Sequence, residues 1–397
     1  MTGATGRPRR PDVAVVGAGP AGLGVAIACA RRGLAVVVLE RRDAQPLDKA
    51  CGEGLMPDAV LQLRDWGVQP RGHALRGIRY RDESESAEGA FPGPPGLGVR
   101  RIELSRALVE RATALGVDLR FGDAVSELQR QDDQWMFRSA TGSWRPRVLV
   151  GADGLRSFVR RSAGLERPHR GRRVGMRRHV RLPAGAQHDG VEVVWGDGVE
   201  AYLTPVGERE LGVALLEDPR RREASSSDRA GGAAVSAFER AIARVPGLAQ
   251  QLDGLESTTE VAGSGPLRAR AAAPTAGSLA LVGDAGGYVD AITGEGMAIA
   301  FAEAEALARA LDDCTSTAAA LRAFARASRR LRRLPDLVTR GALLLAARPS
   351  LRRRFLRALA MDPSRFDRLL ALHVRAGSDW DVLSVATVLA WGLVRAG

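Results

Sequence analysis

Lysine is almost missing from this chain: of its 58 cationic side chains only Lys49 is one. The rest are arginines, so the formal charge of +12 reads as the codon bias of a GC-rich genome at surface positions. No aromatic-studded basic sheet or recognition helix goes with it, and no nucleic-acid partner is expected. Cysteine is scarce. Cys29, Cys51 and Cys314 are odd in number and share no spacing, which excludes a disulfide framework or a zinc site and leaves no expected metal. Such usage fits a reducing cytoplasm, the expected location. Long apolar runs are also lacking. The longest, Val382 to Val394, is broken by Ser384, Thr387 and Gly392, so no transmembrane segment is expected. Arg7 to Arg10 is basic, but the run after it holds Asp12 and many glycines, unlike a signal peptide. There is no internal repeat.

Glycine, by contrast, is plentiful at 46 of 397 residues, and it concentrates in three ordered segments. The first is Gly17-Ala18-Gly19-Pro20-Ala21-Gly22, leading to Glu40. The second is Gly151-Ala152-Asp153-Gly154. The third is Gly283-Asp284-Ala285-Gly286-Gly287, leading to Gly294-Glu295-Gly296. The length suits two or more domains, and 45% apolar residues is an ordinary globular composition.

Val13 to Val16 is wholly apolar, as a strand buried on both faces must be. Pro20 falls in the first turn of the next helix, where proline is tolerated, and Gly33 stops that helix after about Arg32. Ala35 to Leu39 is a second buried strand. In the turn of this strand–helix–strand unit, Gly17, Gly19 and Gly22 let a pyrophosphate approach the backbone, with Pro20 and Ala21 between them. Free amides and the helix dipole then hold its charge. Glu40 ends the second strand, placed to accept from a ribose 2′-hydroxyl. Arg41 either meets the adenosine portion or is a solvated arginine at a strand end.

Arg81 to Gly98 is acidic, then rich in Pro92, Pro94 and Pro95, and reads as a loop or crossing. Leu104 to Leu115 reads as a helix closed by Gly116. Val125–Leu128 and Trp135–Phe137 read as paired strands, and Val148–Val150 returns to the parallel sheet. From about Arg172 to Val261 the pattern alternates at strand period, as at Val191, Val193 and Trp195, then Tyr202 and Thr204, then Leu211 and Val213. One helix is expected near Ala233–Arg244. Leu279–Val282 is a buried strand and Met297–Leu311 a helix. Beyond Leu321 the chain is helical, punctuated by Pro335, Pro349 and Pro363. Leu331, Leu334, Val338 and Leu345 form an apolar stripe expected to cap a domain rather than rest on a membrane. Residues 1–11 read as a loose arm.

Asp284 sits at the carboxyl end of a parallel strand, where such sheets bind ligands; its carboxylate can accept from a ribityl hydroxyl. Gly294, Glu295 and Gly296 open the next helix, whose amides and dipole suit the edge of a reduced flavin. Taken alone, that helix start could be an ordinary cap.

On these residues the chain resembles the FAD-dependent oxidoreductases that include aromatic-hydroxylase-type (group A) flavin monooxygenases and geranylgeranyl reductases, in ordered blocks over about residues 12–310. The resemblance implies nucleotide glycines at Gly17, Gly19 and Gly22, a ribose acid at Glu40 and a cofactor arginine at Arg101, with Arg100 as its neighbour. It implies that Asp153, with Ser157, Val159 and Arg160 behind it, serves the FAD pyrophosphate and a transient NADPH. It implies that Gly283 and Asp284 hold the ribityl chain. The Ala-His pair and proline common in hydroxylases after that aspartate are absent here. Lys49-Ala50-Cys51-Gly52-Glu53-Gly54 is similar to the reductases' Lys-x-Cys-Gly-Gly-Gly. Leu55-Met56-Pro57 and Gly198 to Pro205 look more like bacterial monooxygenases of specialised metabolism.

The expected fold class is thus α/β. A discontinuous Rossmann-like FAD-binding domain (residues 1–75, 99–170 and 265–320) carries an inserted, mostly antiparallel β-sheet substrate domain (76–98 and 171–264). A helical region (321–397) follows. The expected function is an FAD-dependent monooxygenase using NADPH or NADH and O2 on a small apolar aromatic, polyketide or terpenoid substrate through a flavin C4a-hydroperoxide. The alternative is a flavin-dependent reductase of isoprenoid C=C bonds. Cys51, Glu53 and the Gly294–Gly296 segment are the catalytic candidates beside the flavin. Trp195, Tyr202 and Asp290 are candidate substrate-lining residues, and the aromatics can equally be sheet core. His179, flanked by arginines, is expected at the surface. No second complete GxGxxG unit exists, so no separate nicotinamide domain is expected.

Overall fold

The computed structural model describes residues 8–43, 46–169, 171–186, 188–219 and 233–371. The short apolar runs form a six-stranded sheet in the order Thr275–Ala276, Leu279–Leu281, Val148–Gly151, Val13–Val16, Val36–Glu40 and Asp118–Phe121. All neighbours are parallel except the first pair. Side chains alternate across it. Val13, Val15, Val148 and Val150 face a core shared with the helices Pro20–Ala30, Arg101–Ala114 and Gly296–Asp313. Ala14, Val16, Val37 and Leu149 face Trp135, Phe137 and Trp144 of a three-stranded antiparallel sheet. The register sets Val16 opposite both Gly151 and Leu39, and Gly151 opposite Leu281. Three adjacent strands therefore end level, and each releases one of the glycine segments at the same sheet edge.

The second large sheet has seven strands, in the order Ala262–Ser264, Val174–Arg181, Glu210–Glu217, Val199–Gly207, Gly190–Trp195, Gly77–Arg81 and Ser86–Ala90. Only the Gly190–Trp195 and Gly77–Arg81 pair is parallel. One face packs on the Ala233–Ala243 helix through Phe238 and Ile242. The other packs on the C-terminal helices Pro349–Ala360 and Pro363–Ala371 through Phe355, Leu359 and Phe366.

Several expectations need correcting. Residues 81–98 are not loop throughout, because Gly77–Arg81 and Ser86–Ala90 form a hairpin. The buried face of its second strand is made of small residues, Ala87 and Gly89, which give no apolar signal. A Cβ on Gly89 would lie 2.7 Å from Phe366 Cγ, so that smallness makes room for the helix. Pro335 does not interrupt its helix: Thr317–Ala347 is continuous, with Pro335 buried in it, where packing along the rest of the helix outweighs one lost backbone bond. The end of the arm is held, Arg9 N donating to Ser143 O at 3.0 Å with its guanidinium 5.0 Å from the centre of the Trp144 ring. Residues 1–7 and the apolar run Val382–Val394 lie outside the described residues. Among the described residues no helix is long and apolar enough to cross a membrane.

Charge ties the C-terminal helices to the second sheet. Arg352 Nε donates to Asp82 Oδ2 at 3.2 Å, and both side chains are buried. Burial acts to raise the Asp82 carboxyl, but the Ser84 and Glu85 amides and Arg352 together hold it below its ordinary value. Glu305 is held low in the same way: burial is outweighed by Arg32, Trp66 and Arg309. Depressed carboxylates contribute stability that is present above the unfolded-state value and lost as pH falls through the folded one. The melting temperature is therefore expected to stay level from about pH 7 to 5 and to drop below about pH 4. Asp82→Asn should lower it at neutral pH and make the acid slope shallower; a slope as steep as in the parent protein would contradict this assignment.

Candidate cofactor site

The first segment is built as a cradle. Gly17 has φ +104°, and a Cβ there would lie 2.6 Å from the Ala152 carbonyl oxygen. A Cβ on Gly22 would lie 1.9 Å from the Gly17 oxygen. These two glycines close the turn against its neighbours. A Cβ on Gly19 would meet nothing within 4 Å, so this is the open side a phosphate can approach. Pro20 starts the helix Pro20–Ala30. Ala21 reaches the third segment, since a Cβ on Gly283 would lie 2.8 Å from its Cβ. The three segments are thus in contact, although up to some 280 residues apart in sequence.

Glu40 is buried and braces the cradle, accepting from Ala18 N at 3.0 Å and from Arg42 Nε at 3.1 Å. Arg41 is exposed; the arginine that pairs with Glu40 is Arg42, which sequence reasoning missed. Asp153 points inward. It accepts from Ser157 Oγ at 2.5 Å and from Val159 N at 3.0 Å, capping the short helix Phe158–Ser162, and burial pushes its carboxyl up. Its backbone, not its carboxylate, meets the Gly17 turn. Arg160 is fully buried and joins the second segment to the third, donating to Leu155 O at 2.6 Å and to Ala285 O at 3.0 Å.

Gly283–Gly286 is one turn of 3-10 helix with Gly283 at φ +64°. Two residues that the sequence did not single out hold it. Glu303, with no exposed surface, accepts from Gly283 N at 2.9 Å and from Ser328 Oγ at 2.7 Å. Arg332 pairs with Glu303 at 2.6 Å and donates to Gly283 O at 2.7 Å and Gly287 O at 2.6 Å. An acid inside an alanine-rich apolar helix was the available signal for Glu303. Arg332 carried none among so many arginines. The Asp284 carboxylate stays part exposed, 3.5 Å from Lys49 Nζ, and is available to a polyol. Asp284→Ala should purify mostly without FAD. Normal flavin occupancy in that variant would contradict the placement.

Gly294 has φ +69° and lies against Met56, and Gly296 opens the Gly296–Asp313 helix. Arg101 is the arginine at this helix start, its Nη1 3.6 Å from Met297 Sδ, whereas Arg100 is paired with Glu210 at 2.6 Å. Glu295 leads into the helix, its carbonyl accepting from Ile299 N at 3.0 Å. Cys51 is half buried, and Glu53 N contacts its sulfur at 3.5 Å.

His179 corrects the expectation of a surface residue. It has no exposed surface, and its Nε2 is 2.5 Å from Glu53 Oε2. The arginines beside it in sequence misled: Arg178 leaves the opposite face of the strand toward Glu239, and Arg177, on the same face as His179, is itself buried. Glu53, itself buried, is a loop anchor rather than an open acid, and it holds φ +59°. Asp290 likewise ties its loop, pairing with Arg173 at 3.1 Å and accepting from Ile292 N; burial pushes its carboxyl up despite Arg173. Trp195 lies within the core beneath the C-terminal helices, 5.0 Å from Tyr80 between ring centres. Tyr202 stands at the junction of the second sheet with the third segment. Its hydroxyl donates to Ile292 O at 2.8 Å, and it packs with Tyr288, Ile292 and Leu267. Burial, then the charges of Asp284, Asp290 and Cys51, raises the Tyr288 phenol well above its usual range. It therefore faces the site as a neutral hydroxyl.

A free cradle, an acid at the strand end and a part-exposed aspartate at the sheet edge fit the pyrophosphate, ribose and ribityl parts of FAD. The family model described as an FAD binding domain matches residues 10–340. A menaquinone reductase of Mycobacterium tuberculosis is 30% identical over 203 residues, 49% of this chain and 44% of that protein. A 12-dehydrotetracycline 5-monooxygenase/anhydrotetracycline 6-monooxygenase of Streptomyces rimosus is 34% identical over 171 residues, 40% of this chain and 34% of that protein. The chain thus spans less than half the length of these curated relatives. Among solved structures, a 2-methyl-3-hydroxypyridine-5-carboxylic acid oxygenase aligns with a TM-score of 0.65 at 25% identity, covering 87% of this chain and 93% of that one.

Proposed function

The chain belongs to the FAD-binding domain family and is an FAD-dependent oxidoreductase, and from that premise we propose that it is a monooxygenase. It uses NADPH or NADH and dioxygen to hydroxylate or epoxidise a small, largely apolar aromatic, polyketide or terpenoid substrate. The observation that carries the flavin part of this reading is the level ending of three adjacent parallel strands, which brings all three glycine segments to one edge. The similarity to tetracycline and rifampicin monooxygenases supports it.

Bound FAD supplies the redox chemistry. The chain's part is to bind, orient and exclude water. Gly19 and the amides that follow hold the pyrophosphate, Glu40 the ribose, and Arg101 and Asp284 the ribityl side. The Gly296 helix N-terminus lies where negative charge on the reduced ring is favoured. Tyr202, Tyr288 and Ile292 give the substrate side an apolar wall with two neutral hydroxyls. In this reading residues 76–98 and 171–264 form the substrate domain, and the enzyme works in the cytoplasm.

A second reading is favoured by one observation. Lys49-Ala50-Cys51-Gly52-Glu53-Gly54 resembles the reductases' segment and stands beside the Asp284 turn, Lys49 Nζ lying 3.5 Å from the Asp284 carboxylate, and menaquinone and digeranylgeranylglycerophospholipid reductases are among the relatives. Turnover of apolar aromatics and isoprenoids under ¹⁸O₂ separates the two. Label in the product supports oxygenation. Anaerobic turnover with a reduced donor and no label overturns it in favour of the reductase.

A further inference from the structure

The Val174–Arg181 strand of the second sheet grips both ends of the irregular segment 48–53, which carries Lys49 and Cys51. At one end Arg177 Nη2 donates to Asp48 Oδ1 at 2.7 Å. At the other, His179 Nε2 meets Glu53 Oε2 at 2.5 Å, while Glu53 Oε1 accepts from Arg101 N at 2.7 Å. Arg177 and His179 also touch each other, Nη1 to Nδ1, at 3.0 Å. A guanidinium only donates. Nδ1 must therefore accept, the ring proton sits on Nε2, and Nε2 donates to Glu53. Thr259 Oγ1 fixes the ring further, 3.0 Å from Nδ1 and accepting from His179 N. Gly212, the register partner of His179, leaves the room; a Cβ there would lie 3.3 Å from Glu53 Oε2.

Arg177, His179 and Glu53 are each no more than 2% exposed. So much buried polarity is costly unless it orders something. What lies between the two anchors is Lys49, the chain's single lysine, facing the Asp284 carboxylate at 3.5 Å. We propose that Arg177 and His179 are positioning residues that act through Lys49, holding its ammonium at the Asp284 turn as a contact for the ribityl-phosphate part of the bound dinucleotide. The inference rests on the reading of that turn as the flavin site. The seven-stranded sheet thereby reaches the cofactor without touching it.

The test is a double-mutant cycle read as FAD affinity by flavin fluorescence, with thiol labelling of the apoprotein followed by peptide mass spectrometry. His179→Gln and Lys49→Met should each weaken FAD binding about tenfold, as loss of one charge-assisted contact does. The double variant should be no weaker than about tenfold, because the two act through one contact. Cys51 labelling, measured against Cys314, should rise about tenfold in His179→Gln as the segment opens. It should not change in Arg178→Gln, whose side chain leaves the opposite face of the strand toward Glu239. Additive losses approaching about a hundredfold, with unchanged Cys51 labelling, would overturn the proposal. If His179→Gln does not fold, Asp48→Asn, at the half-exposed end of the clamp, should give the same two changes; neither change would overturn it. Failure of the parent protein to bind FAD would sink the flavin reading instead, and the labelling result would still decide the clamp.

Discussion

Gly22→Ala is expected to unfold the nucleotide turn and abolish FAD retention. The new methyl would sit 1.9 Å from the Gly17 carbonyl oxygen and 3.2 Å from Val15 Cγ1. The first is backbone in the strand-to-helix turn, and the second belongs to a central strand of the parallel sheet. Neither can give way without moving the sheet edge, so the apoprotein should lose about 3 kcal/mol, the upper part of the overpacking range. Gly19→Ala separates binding from folding. Nothing lies within 4 Å of its Cβ position, so apoprotein stability should change by less than about 0.5 kcal/mol. FAD affinity should nevertheless fall more than about tenfold, because the methyl stands where the phosphate approaches. Denaturant titration of the two apoproteins and FAD fluorescence quenching measure the pair. Equal effects on stability would contradict the division of roles.

Arg332→Met should cost about 3–5 kcal/mol of stability, the range for removing one partner of a buried ion pair. Glu303 has no exposed surface and would be left with only Ser328 Oγ and Gly283 N as donors. The Gly283 and Gly287 carbonyls would lose their guanidinium at the same time, so the Asp284 turn should loosen and FAD affinity fall with stability. Adding Glu303→Gln to Arg332→Met removes the stranded charge while an amide oxygen can still accept from Gly283 N. The double variant should recover part of the loss in a denaturant titration. A double variant less stable than Arg332→Met would show that the charge was not the cause.

The parts of the molecule legible from sequence are those dictated by local constraint. Gly17 and Gly22 are required by contacts within one turn and its neighbouring strand, and the strand Val13–Val16 by burial on both faces. Such constraints leave a spacing pattern. The clamp on segment 48–53 left none, because Glu53 and His179 are 126 residues apart: Glu53 stood out as an acid in a motif, but nothing in the sequence pointed from it to His179. Arg332 and Arg177 were hidden by abundance: where arginine fills nearly every cationic position, a single one says little. The hairpin at Gly77–Ala90 was lost for the opposite reason. The buried face of its second strand is small so that Phe366 can enter, and small residues make no apolar run. Asp153 was legible as a motif but not in direction. Whether its carboxylate faces a ligand or caps Phe158–Ser162 depends on Ser157 Oγ and Val159 N, which only the folded turn brings to it.

Hydrogen exchange of the protein with and without FAD tests the central claim most directly. Amides of residues 17–22, 283–287 and 294–297 should all gain protection on binding, in one step and with one FAD per chain. Protection confined to the first segment, with the other two exchanging as in the apoprotein, would contradict a single site built from all three.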